Sequence, residues 1–277
     1  MDIFQYEFMR KAFLAGILLA VVIPLIGMVV VLKRLSMIGD ALSHSSLAGV
    51  AAGLIMGINP IVGAMAASVV AALGIEAVRK KIPRHGEMAV AIVMSAGVGL
   101  AGVLSGFAGS GANFNSFLFG SIVSISDFEL YLVIGVSALV LLAVLVLYRE
   151  LFYVSFDERA ARLAGVPVRV VNFIFVILTA LTVSIAARTV GALIVSSMMV
   201  VPVACAMQLG KSFRGTMAYS VVFAVSFTVT GLFLSYYKGL RPGGTIVLVG
   251  VAVLLAVLAL KTARRRAGRR EEADAAK

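Results

Sequence analysis

Residues 12–32 read AFLAGILLAVVIPLIGMVVVL, a run without a charged side chain, preceded by Arg10-Lys11 and stopped by Lys33-Arg34. As a helix rising 1.5 Å per residue, such a run covers roughly 30 Å, the hydrocarbon thickness of a bilayer. It is too long for the core of a secretory signal, and no small-x-small cleavage site follows it, so it reads as a retained membrane helix. The pattern recurs along all 277 residues. Hydrophobic residues make up 61% of the chain, and the mean hydropathy of +1.09 exceeds what a water-facing surface tolerates. The charged residues, 13% of the total, collect into short clusters between apolar runs of about 20 residues. The expected fold is all-α and polytopic. A β-barrel is excluded, because its strands would be shorter and would alternate in polarity.

With Gly, Pro and charge as punctuation, candidate spans fall near 12–32, 37–58, 60–78, 88–106, 129–148, 169–187, 190–209, 217–236 and 243–260. That is nine, or eight if the junction at Asn59-Pro60 belongs to one broken element. The net charge of +11, from 24 Lys and Arg against 13 Asp and Glu, sets topology in such a chain and does not imply nucleic acid. An N-terminus outside and a C-terminus inside put Lys33-Arg34, Arg79 to Arg84, Arg149 to Arg169, Lys211 to Arg214 and Lys261 to Arg270 all in the cytoplasm. Residues 1–262 then form one membrane domain and 263–277 a basic cytoplasmic tail. The lone Cys205 sits in an apolar run and precludes an internal disulfide framework. From about 107 to 128 the chain is too apolar for a plain loop and too broken by Gly and Asn to span. It fits a short re-entrant or interfacial helix on the outer face, or an outer loop with buried aromatics.

Within the second span, residues 36–53 read SMIGDALSHSSLAGVAAG. An ionisable group at membrane depth costs several kcal/mol and is retained where function needs it. Asp40 and His44, four residues apart, project from one helix face and offer an oxygen and a nitrogen ligand to a divalent cation. Ser36 and Ser43 fall within the same arc of roughly 100° and are candidate path-lining residues. Gly49, Gly53 and Gly57, at four-residue spacing on the far side, are expected to let a neighbouring helix approach closely. The bland alternative places Asp40 at the interface beside Lys33-Arg34 and bonds His44 to a carbonyl. Two protein ligands leave a metal shell incomplete, as suits an ion that must also leave.

The stretch RELFYVSFDERAARLAGVPVR, residues 149–169, is the second feature. Phe156 to Ala164 reads as a short amphipathic helix, with Phe156, Ala160, Leu163 and Ala164 on one side and Asp157, Glu158, Arg159 and Arg162 on the rest, ended by Gly165 and Pro167. Such a helix lies on lipid or docks in a partner's groove. Pro202 should bend the span VGALIVSSMMVVPVACAMQL, residues 190–209, with Ser196 and Ser197 placed to satisfy freed carbonyls. The glycines at 97, 99, 102 and 106 read as tight packing, and His85 as solvated surface. Gly210-Lys211-Ser212 is the nearest approach to a phosphate-binding loop, but Cys205 occupies the position five before Gly210 and a membrane span precedes it. The chain is not expected to bind ATP or to be an enzyme, and neither HExxH nor GxSxG occurs.

In order, LKRLSMIGDALSHSSLAGVAAG, FDERAARLAGVP and VGALIVSSMMVVPVACAMQL resemble the membrane permease subunits of bacterial ABC importers for zinc, manganese and iron, over about residues 5 to 262. The resemblance implies a multi-pass permease of the cytoplasmic membrane, paired with a second copy, resting on two cytoplasmic ATPase subunits that bind the ATP, and receiving metal from an extracytoplasmic binding protein. It implies metal contact at Asp40 and His44. It implies a coupling helix within 150–167, with Phe156, Asp157, Ala160 and Gly165 facing the ATPase. No permanently bound cofactor is implied; the metal is cargo, and the family likeness favours zinc. The competing expectation is a stand-alone, proton-coupled metal transporter with Asp40 and His44 as its relay.

Overall fold

The structure is a computed structural model that describes residues 5–82, 85–107, 117–118, 120, 122 and 125–275, with side chains as far as residue 263. The chain is an all-α, multi-pass membrane protein. In order come α1 (Glu7–Leu32), α2 (Ile38–Ile55), α3 (Pro60–Lys81), α4 (Gly86–Phe107), α5 (Asp127–Val146), α6 (Tyr148–Phe156), α7 (Glu158–Leu163), α8 (Val168–Ala186), α9 (Ala192–Leu209), α10 (Phe213–Lys238) and α11 (Pro242–Ala275). A π-helical turn, Ala187–Gly191, joins α8 to α9.

Among the described residues, seven stretches are long and apolar enough to cross a bilayer: α1, α3, α4, α5, the 42-residue run Val168–Leu209, α10 and Pro242–Ala263 of α11. The nine spans read from the sequence differ from this set in two places. They include α2, whose 18 residues carry Asp40, His44 and three serines, and they divide Val168–Leu209. A straight helix of that length would measure about 63 Å, twice the hydrocarbon core, and Gly191, at φ 119 and ψ 136, interrupts it.

Ion pairs and a lysine–amide hydrogen bond mark the two ends of the bundle. At one end Lys11 lies 2.7 Å from Asp127 and Arg188 lies 2.8 Å from Glu129. At the other, Lys33 meets Glu158 and Lys261 Nζ donates to Gln208 Oε1 at 3.0 Å. Most of the segment expected to be a re-entrant helix or outer loop, 107–128, lies outside the described residues. Of the rest, Gly120 backs onto the Val190 carbonyl, Phe117 lies under the Arg188 guanidinium, and Ser126 opens α5 in a reciprocal capping box with Glu129.

The amphipathic helix expected over Phe156 to Ala164 is two elements. Asp157 leaves helical geometry, at φ −152, and its carboxylate accepts from the amides of Arg159 and Ala160. A short acidic side chain competes for orphan amides in this way and starts a new helix. Phe156 therefore ends α6, while Ala160 and Leu163 belong to α7. The close is as read: Gly165, at φ +82, donates to the Arg162 carbonyl, and Val166 donates to that of Ala161, a Schellman pair that glycine's freedom permits.

Candidate functional site

Helix α2 packs most heavily on α3 and α4, and its first half also lies against α9. Glycine makes these approaches possible. A Cβ on Gly49 would collide with the Gly63 carbonyl of α3, and one on Gly97 of α4 would lie 2.6 Å from Ser45 Oγ. Gly27 of α1 abuts the Met199 carbonyl of α9, and Gly39 of α2 brings the Ser196 Cα within 3.2 Å of where its own Cβ would stand. These contacts leave a single opening. From Ile38 to Ala51 every residue of α2 is buried except Asp40 and His44.

Asp40 and His44 thus form an open stripe one turn long on the otherwise buried stretch Ile38–Ala51, with carboxylate and imidazole close enough to interact electrostatically. Ser36 is half-buried at the entrance, and its carbonyl accepts from Ser196 Oγ at 3.3 Å. Ser196 also lies close enough to the Asp40 carboxylate to interact with it. Ser196 was expected to serve carbonyls freed by Pro202; its hydroxyl instead donates to the Ser36 carbonyl in the turn between α1 and α2. Ser43, expected to line the path, is fully buried, and its hydroxyl has no hydrogen-bond partner among the described residues. It lies about 60° around the helix from Asp40, on the covered side. Gly53 packs near Pro60, but Gly57 lies beyond the helix end, in open space at φ +68, and is a turn residue. Gly97 packs, whereas Gly99, Gly102 and Gly106 have nothing within 4 Å. His85 is exposed, as expected. Among the described residues no three His, Cys, Asp or Glu side chains are gathered as a metal cage.

A second polar centre occupies the end of the bundle where α1, α3, α7 and α8 meet. Glu158 Oε1 accepts from Lys33 Nζ at 3.1 Å, from Asn172 Nδ2 at 3.1 Å and from Arg79 Nη2 at 3.4 Å. Lys33 Nζ also donates to Asn172 Oδ1 at 2.5 Å. Burial pulls the Lys33 ammonium below the ordinary lysine value against the pull of Glu158. Burial opposes the Glu158 charge too, yet Lys33 and Arg79 hold that carboxyl below the usual range. A cavity of about 510 Å³ opens beside it, lined by Glu76, Arg79, Arg162 and Arg169 among others. Just outside, Phe156 is 63% and Leu163 91% exposed, and Asp157, Ala160 and Gly165 are exposed with them. Only Ala161 of α7 is buried. Phe156 touches Phe152 and Phe213 on one side, but among the described residues nothing covers the rest of this apolar knob.

The chain thus combines a bundle of membrane helices, a partly exposed Asp–His stripe on α2 and an exposed apolar knob. The sequence profile of the ABC 3 transport family matches residues 5–261, and the chain belongs to that family. Similar proteins include the "Probable metal transport system membrane protein" of Treponema pallidum (strain Nichols), 38% identical over 92% of this chain and 96% of its own. The manganese transport system membrane protein MntC of Listeria innocua is 33% identical over 90% and 89%. Among solved structures, PsaBC from Streptococcus pneumoniae in complex with Fab superposes with a TM-score of 0.82, at 28% identity, over 92% of each chain.

Proposed function

We propose that this chain is the permease subunit of an ATP-driven importer, moving a divalent transition-metal ion inward past Asp40 and His44. The observation that carries this reading is the stripe: α2 is sealed on every side from Ile38 to Ala51 except at those two residues. Carboxylate and imidazole together replace part of an ion's hydration shell without caging it, as transit demands. Manganese is the proposed cargo. The ligand pair suits zinc, manganese and ferrous iron alike, the family likeness favoured zinc, and relatives named for manganese move the choice.

The nine-span topology with the N-terminus outside belongs to this reading, since it places the Lys33 and Lys261 end in the cytoplasm. So do the partners: ATPase subunits receiving the Phe156–Leu163 knob, an extracytoplasmic binding protein, and a second copy against α4, of which only Ala89, Val90 and Gly97 are buried. Asp40→Ala and His44→Ala remove side chains at the rim of a stripe, so no core cavity forms. Radiolabelled manganese uptake by cells carrying either variant falls to background, with the chain still present at wild-type level in membranes. Wild-type uptake by both variants would refute the path.

A further inference from the structure

Lys33 and Arg79 lie far in sequence from Glu158 and Asn172, and nothing in the metal path uses these four. Three donors from three other elements converge on one oxygen, Glu158 Oε1. Lys33 is the pivot on the path side. Its side chain is only 6% exposed, and it caps the end of α1. A tight turn follows, in which Arg34 takes φ +58, donating to the Val31 carbonyl while Leu35 donates to Val30. That Schellman turn fixes the direction of the chain, and α2 begins at Ile38, two residues before Asp40. On the other side, Glu158 is the first residue of α7, directly after the Asp157 cap and between the uncovered Phe156 and Leu163.

We infer that Glu158 is a positioning residue that ties the ATPase-facing segment to the α1–α2 turn, and so sets the position of Asp40. The inference rests on the permease reading above and names the contact through which partner movement reaches the ion path. Displacing α7 drags Lys33 along or strands a buried ammonium without its counter-charge, and the second course is strongly unfavourable. Arg79 and Asn172 brace the same oxygen from α3 and α8, so a shift of α7 reaches three helix ends at once. This is a two-arrangement ionic joint, with binding on one side biasing geometry on the other.

The test uses the complete transporter in proteoliposomes: this chain, the ATPase that co-purifies with it, the metal-binding protein and Mn²⁺. The readout is manganese moved per ATP hydrolysed, which a loss of folded protein does not change. Glu158→Gln keeps the shape and removes the charge; Lys33→Gln does the same from the other side. Each is expected to lower the ratio by about tenfold, within the usual range of coupling between sites. A wild-type ratio in both variants overturns the inference while leaving the permease reading intact. If Glu158→Gln yields no complex, the Lys33→Gln ratio decides alone. A wild-type chain that recruits no ATPase and moves no manganese overturns both readings.

Discussion

Gly49, Gly53 and Gly57 share a spacing but not an environment. A methyl on Gly49 meets the Gly63 backbone and lies 2.6 Å from Ala67 Cβ; backbone cannot yield, and overpacking of this kind costs about 1–3 kcal/mol. At Gly53 the nearest atom is Pro60 Cα at 3.2 Å, and the gain in helix propensity of about 1 kcal/mol offsets the squeeze. At Gly57 there is only the left-handed φ, worth about 1–2 kcal/mol. Thermal unfolding in detergent should therefore rank Gly49→Ala as most damaging and Gly53→Ala as near neutral, and a neutral Gly49→Ala would show that α2 and α3 are not in contact there. Ser196→Ala removes a hydroxyl from the Asp40 carboxylate. A polar contact to a carboxylate contributes about 1 kcal/mol, so the manganese concentration for half-maximal uptake should rise several-fold, with transport retained. An unchanged value would place Ser196 outside the path. That Asp40 and His44 share one partly open helix face was legible because two residues four apart in a helix project from the same side. The roles of Ser43 and Ser196 were not, because a helical wheel groups positions on one helix but does not say which arc a distant helix will cover.

At the scale of elements, the apolar runs gave helix positions to within about five residues, except that α11 continues to Ala275 beyond the apolar run read over 243–260, since length and charge boundaries are local properties. The break at Asp157 escaped because an aspartate on the polar face of a helix and an aspartate capping a new one look alike in sequence. Its capping role makes a sharp prediction. Asp157→Ala removes an acceptor for two amides and destabilises the start of α7 by about 1 kcal/mol, whereas Asp157→Asn keeps the acceptor. Recovery of the ATPase with the purified chain should fall for the alanine and not for the asparagine; equal recovery from both would remove capping from the account. Gly165→Leu, forced into a left-handed φ with open space around it, should reduce recovery in the same assay. Glu158 predicts a pH dependence as well. Its proton affinity is lower folded than unfolded, so its contribution is complete above the unfolded value of about 4.3 and is lost as pH falls through the folded one. The difference in unfolding temperature between wild type and Glu158→Gln should shrink below that pH, and a constant difference would discount the ion pair. Nothing in the sequence foretold this joint, because Lys33 and Glu158 stand 125 residues apart.

For the whole molecule, the source of energy is the deciding question. The Gly210-Lys211-Ser212 stretch is the turn between α9 and α10, and Ser212 is spent on capping: its hydroxyl accepts from the Gly215 amide and its carbonyl accepts from the Thr216 hydroxyl. A Cβ on Gly210 would strike Thr216, so the turn closes on its own helix and offers no cradle to a phosphate. A proton-driven carrier would need titratable groups in series across the membrane. Asp40 and His44 both sit in the first two turns of α2, near the end of the bundle where Lys33 lies, and no third His, Cys, Asp or Glu joins them among the described residues. On the proposed path the pair serves a cation over a short distance, and among the described residues no further group of these types joins it to extend a relay to the far side. Purified chain alone, in liposomes with an inward proton gradient, is therefore expected to accumulate no Mn²⁺. The same chain with its ATPase, its binding protein and ATP on the ATPase side is expected to accumulate it, and Asp40→Ala should abolish that uptake. Gradient-driven accumulation by the isolated chain would overturn the partner-driven reading and leave Asp40 and His44 as part of a self-sufficient carrier.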